Sequence, residues 1–229
     1  MTFSGFIKTD LVNYPGLVAA AVFTGGCNFR CPYCHNPEFV VPGSDPAYSD
    51  ETYTEEEILA YLTRRSAMLD ALVVSGGEPT LHPDLPAFLR RVRPLGLKIK
   101  LDTNGSRPAV LKSLICSGLV DYVAMDIKAP FEKYGLFGFA DTAAIGKSIG
   151  ILERSGIGHE YRTTCPKGLL EPDDFPKMAK LIGNNAKWYL QTFNPRKTLD
   201  PEFGRASAYT EAELRAIAAS VGRAETEVR

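Results

Sequence analysis

Apolar residues along this chain occur in short runs that alternate with stretches of helical period. Six runs rich in β-forming residues predict strands at 18–23, 71–75, 98–102, 122–126, 160–164 and 188–192. Amphipathic stretches predict helices that start near Thr54, His82, Arg107, Thr142, Pro172 and Thr210, the last at a Thr-Glu-Ala-Glu sequence that resembles a capping box. This alternation predicts a parallel sheet with right-handed helical crossovers.

One stretch, at 41–53, breaks the alternation. It is rich in Pro, Ser, Asp and Tyr and has no apolar period, so we expect a loop over the end of the sheet that carries the unusual residues. The chain shows no internal repeat and no low-complexity tract. With 229 residues and 45% hydrophobic content, we expect one α/β domain, 1–229, around one core.

The charge balance excludes some partners. Twenty-six basic and 27 acidic residues leave a net charge of −1, so no global field favours nucleic acid or an anionic membrane. No apolar run approaches the roughly 18 residues of a membrane-spanning helix, and the N-terminus lacks a signal-peptide pattern.

Five cysteines, three of them clustered, indicate a reducing compartment and metal chemistry rather than a disulfide framework. We expect a cytoplasmic protein.

The unusual residues all follow predicted strands. Cys27 to Cys34 come after the first strand, Gly76-Gly77-Glu78 after the second, Asp102-Thr103-Asn104 at the end of the third, and Asp126 and Lys128 at the end of the fourth. Parallel α/β folds place their active sites at the carboxyl ends of the strands. These motifs are therefore expected to meet on one face.

The sequence GGCNFRCPYCHN spaces three cysteines as C-x3-C-x2-C. Thiolates at this spacing are suited to an iron–sulfur cluster, and three of them leave one iron of a four-iron cluster free to chelate a small molecule. A zinc site with His35 as the fourth ligand is one alternative. A redox-active C-P-Y-C pair is another, although it leaves Cys27 without a role.

The segment C-N-F-R-C-P-Y-C resembles the signature of the radical S-adenosylmethionine superfamily, with Tyr33 in the aromatic position. Ser75-Gly76-Gly77-Glu78-Pro79 resembles the glycine-glycine-glutamate segment of that family, which contacts the methionine amino group. The resemblance implies a partial (β/α)6 TIM-like barrel, a [4Fe-4S] cluster on Cys27, Cys31 and Cys34, and bound S-adenosylmethionine.

The resemblance also implies roles for residues at the strand ends. Asp102, Thr103 and Asp126 match a pattern that holds a monovalent cation beside the methionine carboxylate, although Asp-Thr-Asn-Gly could be only a turn. Lys128 would neutralise that carboxylate, with a surface ion pair as the alternative. Arg162 would pair either with the cofactor or with an internal Asp or Glu. Asn104, Gln191 and Asn194 are candidate contacts to the ribose or adenine, and Cys116 and Cys165 are interpreted as ordinary buried thiols.

Within the superfamily, the opening GFIKTDLVNYPGLVAAAVFTGGCNFRCPYCHNPEFV resembles activating enzymes of glycyl radical proteins, especially the short ones that act on the anaerobic ribonucleoside-triphosphate reductase. That likeness implies reductive cleavage of S-adenosylmethionine to a 5′-deoxyadenosyl radical, a large partner whose glycine loses its Cα hydrogen, and a flavodoxin or ferredoxin-type electron donor. Six βα units leave little chain for a lid, so we expect a pocket open to such a partner. The alternatives are a small-molecule radical enzyme similar to the deazaguanine synthases and a zinc-binding interaction module without catalysis.

Overall fold

The computed structural model describes residues 1–41, 52–184, 186–223 and 225–229. Its strands are β1 (Thr2–Phe3), β2 (Gly5–Asp10), β3 (Ala19–Thr24), β4 (Tyr53–Thr54), β5 (Ala71–Gly76), β6 (Lys98–Thr103), β7 (Tyr122–Asp126), β8 (Gly158–Cys165), β9 (Lys187–Thr192) and β10 (Thr226–Val228). Its α-helices are α1 (Pro37–Val40), α2 (Glu55–Arg65), α3 (Leu85–Val92), α4 (Pro108–Cys116), α5 (Thr142–Ser155), α6 (Asp174–Ala179) and α7 (Glu211–Val221). Short 3-10 helices cover Pro79–Leu81, Arg93–Leu95, Phe131–Phe137 and Pro201–Arg205.

Eight strands form one sheet in the order β10-β9-β8-β7-β6-β5-β3-β2, and β1 pairs with β4 separately. Every neighbouring pair in the large sheet is parallel except β2 with β3. From β3 to β9 the spatial order follows the sequence order, with one of the helices α2 to α6 in each connection. The predicted partial (β/α)6 TIM-like barrel is confirmed.

The six predicted strands coincide with β3, β5, β6, β7, β8 and β9 to within two residues at each end. Five of the predicted helix starts lie within two residues of the observed ones, whereas α3 begins three residues after His82. Strands β1, β2, β4 and β10 were not predicted. Strand β2 lies at an edge of the sheet and exposes three consecutive residues, and the other three have only two or three residues each. Such short or half-exposed strands have little apolar alternation, so their pairing is decided by the tertiary structure. Most of the predicted loop at 41–53 lies outside the described residues.

Two helices begin at reciprocal capping boxes. The Thr210 hydroxyl accepts a bond from the backbone N–H of Glu213 at 3.2 Å, and the Glu213 carboxylate accepts one from the backbone N–H of Thr210 at 2.8 Å. Thr54 and Glu57 make the same pair of bonds at the start of α2. Each box satisfies two backbone donors that the first helical turn leaves unpaired, which explains why both helices begin where the sequence predicts.

Strand β6 shows how the sheet separates its two faces. Ile99 and Leu101 belong to the main apolar core together with side chains of the surrounding helices. Because successive side chains of a strand point to opposite faces, Lys100 and Asp102 lie on the other face, inside the barrel. Lys100 is 1% exposed and Asp102 is 6% exposed. The barrel interior therefore contains buried charges.

The interpretation of Cys116 as a buried thiol is wrong, whereas Cys165 is buried as expected. Helix α4 directs Leu111 and Leu114 into the core. Cys116 follows Leu114 by two positions, about 200° around a helix of 3.6 residues per turn, and so lies on the solvent side.

Within the described ranges no single helix is long and apolar enough to cross a membrane, although the bent pair Phe131–Phe137 and Thr142–Ser155 meets that test by length and composition alone.

Candidate active site

The three clustered cysteines lie in the loop between β3 and α1, at the carboxyl end of the sheet. Hydrogen bonds within the loop and to a neighbouring segment hold its backbone. The backbone N–H of Cys34 donates to the carbonyl of Cys31 at 3.0 Å, and the Arg30 guanidinium donates to the carbonyl of Cys27 at 2.6 Å. The backbone N–H of Arg30 donates to the carbonyl of Phe137 at 2.8 Å. These bonds fix the path of the loop backbone at the mouth of the barrel.

The loop after β5 packs against the cysteine loop so closely that it requires glycine. The backbone N–H of Gly77 donates to the Thr24 carbonyl at 2.8 Å, and that of Glu78 donates to the Gly26 carbonyl at 2.9 Å. A Cβ on Gly77 would lie 2.1 Å from the Gly26 oxygen. Gly76 has φ +118°, and a Cβ there would lie 2.3 Å from the backbone nitrogen of Thr24. Side chains at these two positions would separate the loops.

Glu78 joins the second and third strand ends. Its carboxylate is fully buried and accepts hydrogen bonds from the backbone N–H of Thr80 at 3.0 Å, the Thr103 hydroxyl at 2.8 Å and the backbone N–H of Asn104 at 2.6 Å. The Thr80 hydroxyl also donates to it. Burial raises the pKa of Glu78, and the bonds from Asn104, Thr80 and Thr103 oppose that rise. The Glu78 carboxylate is thus engaged by protein donors, and Glu78 is not among the residues that line the pocket.

Asn104 continues this connection to the cysteine loop. Its side-chain amide donates to Asn28 Oδ1 at 2.9 Å and lies 3.9 Å from Cys27 Sγ. Asn28 in turn donates to the Ser106 hydroxyl at 2.9 Å, and Asn104 Oδ1 accepts from the backbone N–H of Ser106. Asn104, which was predicted to contact the ribose, therefore links the end of β6 to the cysteine loop.

The surroundings of the three thiols favour their protonated form in the metal-free protein. Burial raises the pKa of Cys27, Cys31 and Cys34, to about 12 for Cys31. Lys128 opposes the rise at all three thiols, and each thiolate would also be repelled by another acidic group nearby. Metal binding needs thiolates and releases their protons, so it would reverse this preference.

A buried group of charged side chains lies at the ends of β6, β7 and β8. Asp102 Oδ1 accepts from Lys100 Nζ at 2.7 Å, and Asp102 Oδ2 accepts from the Ser75 hydroxyl at 3.0 Å and from Arg162 at 3.1 Å. Burial would raise the pKa of Asp102, but Arg162 and Lys100 outweigh it and lower the pKa. Asp102 is therefore held as an anion by two cations and a hydroxyl.

Asp126 is paired in the same way. Its Oδ1 accepts from Arg162 Nε at 3.0 Å and its Oδ2 accepts from Lys128 Nζ at 2.8 Å. These cations outweigh the effect of burial and lower the pKa of Asp126 to about 2. Arg162 therefore has internal carboxylate partners, which is one of the two alternatives predicted for it. The Lys128 side chain is 16% exposed, so its ion pair is inside the barrel rather than on the surface.

Tyr33 contributes a buried hydroxyl group to the site. Its ring is 3% exposed and packs against Phe137 and Phe193. Its hydroxyl is buried and has no hydrogen-bond partner among the described residues. A buried donor without a partner is costly, so a bound group with an acceptor would fit here. Three sulfur donors, this hydroxyl and nearby Lys128 together suit a metal–sulfur cluster with a polar ligand.

The structure brings most of the predicted site residues to one pocket. Those that line it are Cys27, Cys31, Tyr33, Cys34, Gly76, Gly77, Asp102, Thr103, Asn104, Asp126, Lys128, Arg162 and Gln191. Glu78 lies behind them, and Asn194 is exposed, with its side chain bonded to the backbone N–H of Arg196. His35 lines the pocket, but its Nδ1 lies 3.2 Å from the Lys197 carbonyl.

Sequence reasoning missed Ser75, Thr164 and Lys100. Ser75 and Thr164 line the pocket, and Lys100 binds Asp102 from one layer deeper. Strand alternation could have found Thr164 and Lys100, because they stand two residues from Arg162 and Asp102 on the same strands. Lys100 was the strongest signal, since a lysine between Ile99 and Leu101 within a buried strand needs an anionic partner.

Comparison with known proteins identifies the class to which this fold and site belong. The profile of the Radical SAM superfamily matches residues 21–154, which include the cysteine loop and the first four parallel strands. The chain belongs to the Radical SAM superfamily. That family implies an iron–sulfur cluster and S-adenosylmethionine.

The sequence relatives include activating enzymes. A Methanocaldococcus jannaschii protein provisionally named as a glycyl-radical enzyme activating enzyme is 33% identical over 221 residues, which cover 93% of this chain and 89% of that protein. The pyruvate formate-lyase-activating enzyme of Clostridium pasteurianum is 32% identical over 52% of this chain and 48% of its own. A 7-carboxy-7-deazaguanine synthase of Methanothermobacter thermautotrophicus is 33% identical over 45% of this chain and 38% of its own.

Solved structures share the fold at low identity. Streptococcus suis SuiB bound to S-adenosylmethionine superposes with a TM-score of 0.67 at 14% identity, covering 90% of this chain and 48% of that one. TYW1 with a lysine-pyruvate adduct superposes with a TM-score of 0.59 at 16% identity, covering 90% and 74%. These likenesses concern the barrel alone.

The Glu78 network predicts a stability effect. Glu78→Gln replaces one carboxylate oxygen by an amide that cannot accept from the donors around it, so a buried donor loses its partner. We expect the free energy of unfolding of the metal-free protein to fall by about 1–3 kcal/mol, measured by urea denaturation. Glu56→Gln, which changes a carboxylate that is 74% exposed, is the matched control and should have little effect. Equal stability of the two variants would contradict this role of Glu78.

The thiol environment predicts a pH effect. In the reduced, metal-free protein the cysteine pKa values lie above the ordinary value of 9.0, up to about 12. The folded state therefore holds these protons more tightly than the unfolded chain, and this stability is present below about pH 9 and lost as the pH rises toward 12. The triple Cys27, Cys31 and Cys34→Ala variant should lose less stability over the same range in urea denaturation. A parallel decline in both proteins would refute the prediction.

Proposed function

We propose that this chain is a radical S-adenosylmethionine enzyme that installs a glycyl radical on a partner protein, of which the anaerobic ribonucleoside-triphosphate reductase is the first candidate. The proposal includes a [4Fe-4S] cluster on Cys27, Cys31 and Cys34 and a flavodoxin or ferredoxin-type electron donor. It also treats residues 1–229 as one domain of a cytoplasmic enzyme.

One observation carries the proposal. Three cysteines, the carboxylates of Asp102 and Asp126 and the cations of Lys128 and Arg162 line the same pocket at the carboxyl ends of the barrel strands. Similarity to a provisionally named activating enzyme extends over 93% of the chain, whereas the deazaguanine synthase matches over 45%. The longer match supports an activating enzyme over a small-molecule enzyme.

Different pocket residues would bind different parts of the cluster and the cofactor. The cysteines would hold three irons and leave one for the amino and carboxylate groups of the methionine part. Lys128 and Arg162 place positive charge where that carboxylate would lie, and each such charged hydrogen bond is stronger than a neutral one. The backbone around Gly76 and Gly77 is the candidate contact for the amino group, with Glu78 holding that loop in place. Asn104, Gln191 and Tyr33 offer polar groups for the nucleoside and for the cluster's surroundings.

When bound, the reduced cluster would supply one electron for the cleavage of S-adenosylmethionine to methionine and a 5′-deoxyadenosyl radical, and that radical would take a hydrogen atom from the glycine Cα. The protein orients the cofactor and limits access of water. Strands β2 and β10 end the sheet without pairing to each other in the described part of the chain. A glycine-bearing loop of a partner could therefore approach an incompletely closed barrel, and its docking would complete the exclusion of water.

The cluster assignment is tested by cysteine variants. Cys31→Ala should abolish the iron–sulfur absorbance and the cleavage of S-adenosylmethionine in anaerobically reconstituted protein, because the loop offers no replacement thiolate. Cys116→Ala, at an exposed cysteine outside the pocket, should retain both. A Cys31 variant with full cluster content would refute the cluster assignment, and stoichiometric zinc in the unaltered protein would favour the zinc module.

The substrate assignment is tested by isotope transfer. The protein is incubated anaerobically with S-adenosylmethionine, a reductant and a glycyl radical protein that carries Cα-deuterated glycine. We expect deuterium in the 5′-deoxyadenosine and a glycyl radical signal in electron paramagnetic resonance. Cofactor cleavage without transfer from any co-encoded glycyl radical protein, together with turnover of a small molecule, would favour a deazaguanine-synthase-like function.

A further inference from the structure

The buried charge group has a composition that conflicts with a bound monovalent cation. Asp102, Thr103 and Asp126 are the residues expected to hold one. In the structure all four carboxylate oxygens already accept from protein donors, three of which are the cationic groups of Lys100, Lys128 and Arg162. The Thr103 hydroxyl donates to Glu78 at 2.8 Å and accepts from the backbone N–H of Gly105 at 3.1 Å. These residues therefore do not fit a further cation.

The cations already present also oppose a further one. Lys100, Lys128 and Arg162 pair with Asp102 and Asp126, and the buried carboxylates of Asp10 and Glu160 interact with Lys100 and Arg162 respectively. A potassium or sodium ion at Asp102 and Asp126 would be repelled by the three cationic groups bound there. Lys128 and Arg162, which line the pocket, can instead donate to a carboxylate.

Lys100 places a fixed cation beside Asp102. It stands on the inner face of β6 between Val73 of β5 and Tyr122 of β7, one layer below Asp102. Its Nζ atom donates to Asp102 Oδ1 at 2.7 Å, and its side chain is 1% exposed. A fixed ammonium at this distance supplies the positive charge that a loosely bound metal ion would otherwise provide, and it adds a hydrogen bond to Asp102.

We propose that the Lys100 ammonium replaces a monovalent metal ion in this chain, so that S-adenosylmethionine binds without potassium or sodium. Lys100 is a positioning residue: it neutralises Asp102, which leaves Arg162 and Lys128 positive enough to attract the methionine carboxylate. The inference rests on the proposed function for the identity of the cofactor. The charge group itself does not depend on that identity.

The test measures cofactor binding rather than turnover. Equilibrium dialysis of radiolabelled S-adenosylmethionine against the anaerobically reconstituted protein is carried out in potassium chloride and in choline chloride at equal ionic strength. The unaltered protein should have the same Kd in both salts. In choline chloride Lys100→Met should bind about 10- to 150-fold more weakly, the range for one charged hydrogen bond, and potassium should restore much of the loss.

Lys98→Met is the matched control, because Lys98 stands two residues earlier on the same strand, is 61% exposed and pairs at 3.4 Å with Asp121. It should behave like the unaltered protein in both salts. If Lys100→Met shows no cooperative thermal unfolding, Lys100→Gln, which can still donate to Asp102, takes its place.

The outcomes separate this inference from the function on which it rests. No binding by the unaltered protein in either salt would refute the proposed function. Binding that requires potassium in the unaltered protein would overturn the inference alone, and needs no variant. Unchanged binding by the Lys100 variant in choline chloride, or weakened binding that potassium does not restore, would also overturn it.

Discussion

The arrangement of the site depends on the hydrogen bonds that the Glu78 carboxylate accepts. This carboxylate accepts hydrogen bonds from the loop that follows its own strand and from Thr103 and Asn104 at the end of the next strand. Asn104 then reaches the cysteine loop through Asn28. Three strand ends are thereby held in one orientation by a buried acceptor, and a buried carboxylate is stable only where such donors surround it.

The second constraint is the charge balance inside the barrel. Parallel strands bring side chains of β6, β7 and β8 into one layer, so their charges must compensate each other without much help from water. Arg162 bridges Asp102 and Asp126, and Lys100 and Lys128 each pair with one of these two carboxylates. In the proposed function, Lys128 and Arg162 would also attract the carboxylate of the bound cofactor.

The cysteine loop and the charge group act on each other across the pocket. Lys128 lowers the pKa of each thiol, while burial of the thiols raises it more. The metal-free protein therefore keeps the thiols protonated, and a metal that replaces those protons converts an unfavourable burial of charge into bonds.

Local patterns in the sequence were sufficient for the parallel strands and for the positions of the motifs, whereas the partial barrel was implied by the family resemblance. The six parallel strands, the capped starts of α2 and α7 and the convergence of Cys27 to Cys34 with Lys128 follow from alternation, capping residues and the rule that parallel strands end on one face. Pairings between distant residues could not be obtained in this way. The choice of internal partners for Arg162, the engagement of Glu78 by protein donors, the exposure of Cys116 and the contact of Lys100 with Asp102 depend on which side chains the folded barrel brings within a few ångströms. Sequence spacing specifies the face on which a side chain lies, whereas hydrogen-bond partners are specified by distances that exist only in the tertiary structure.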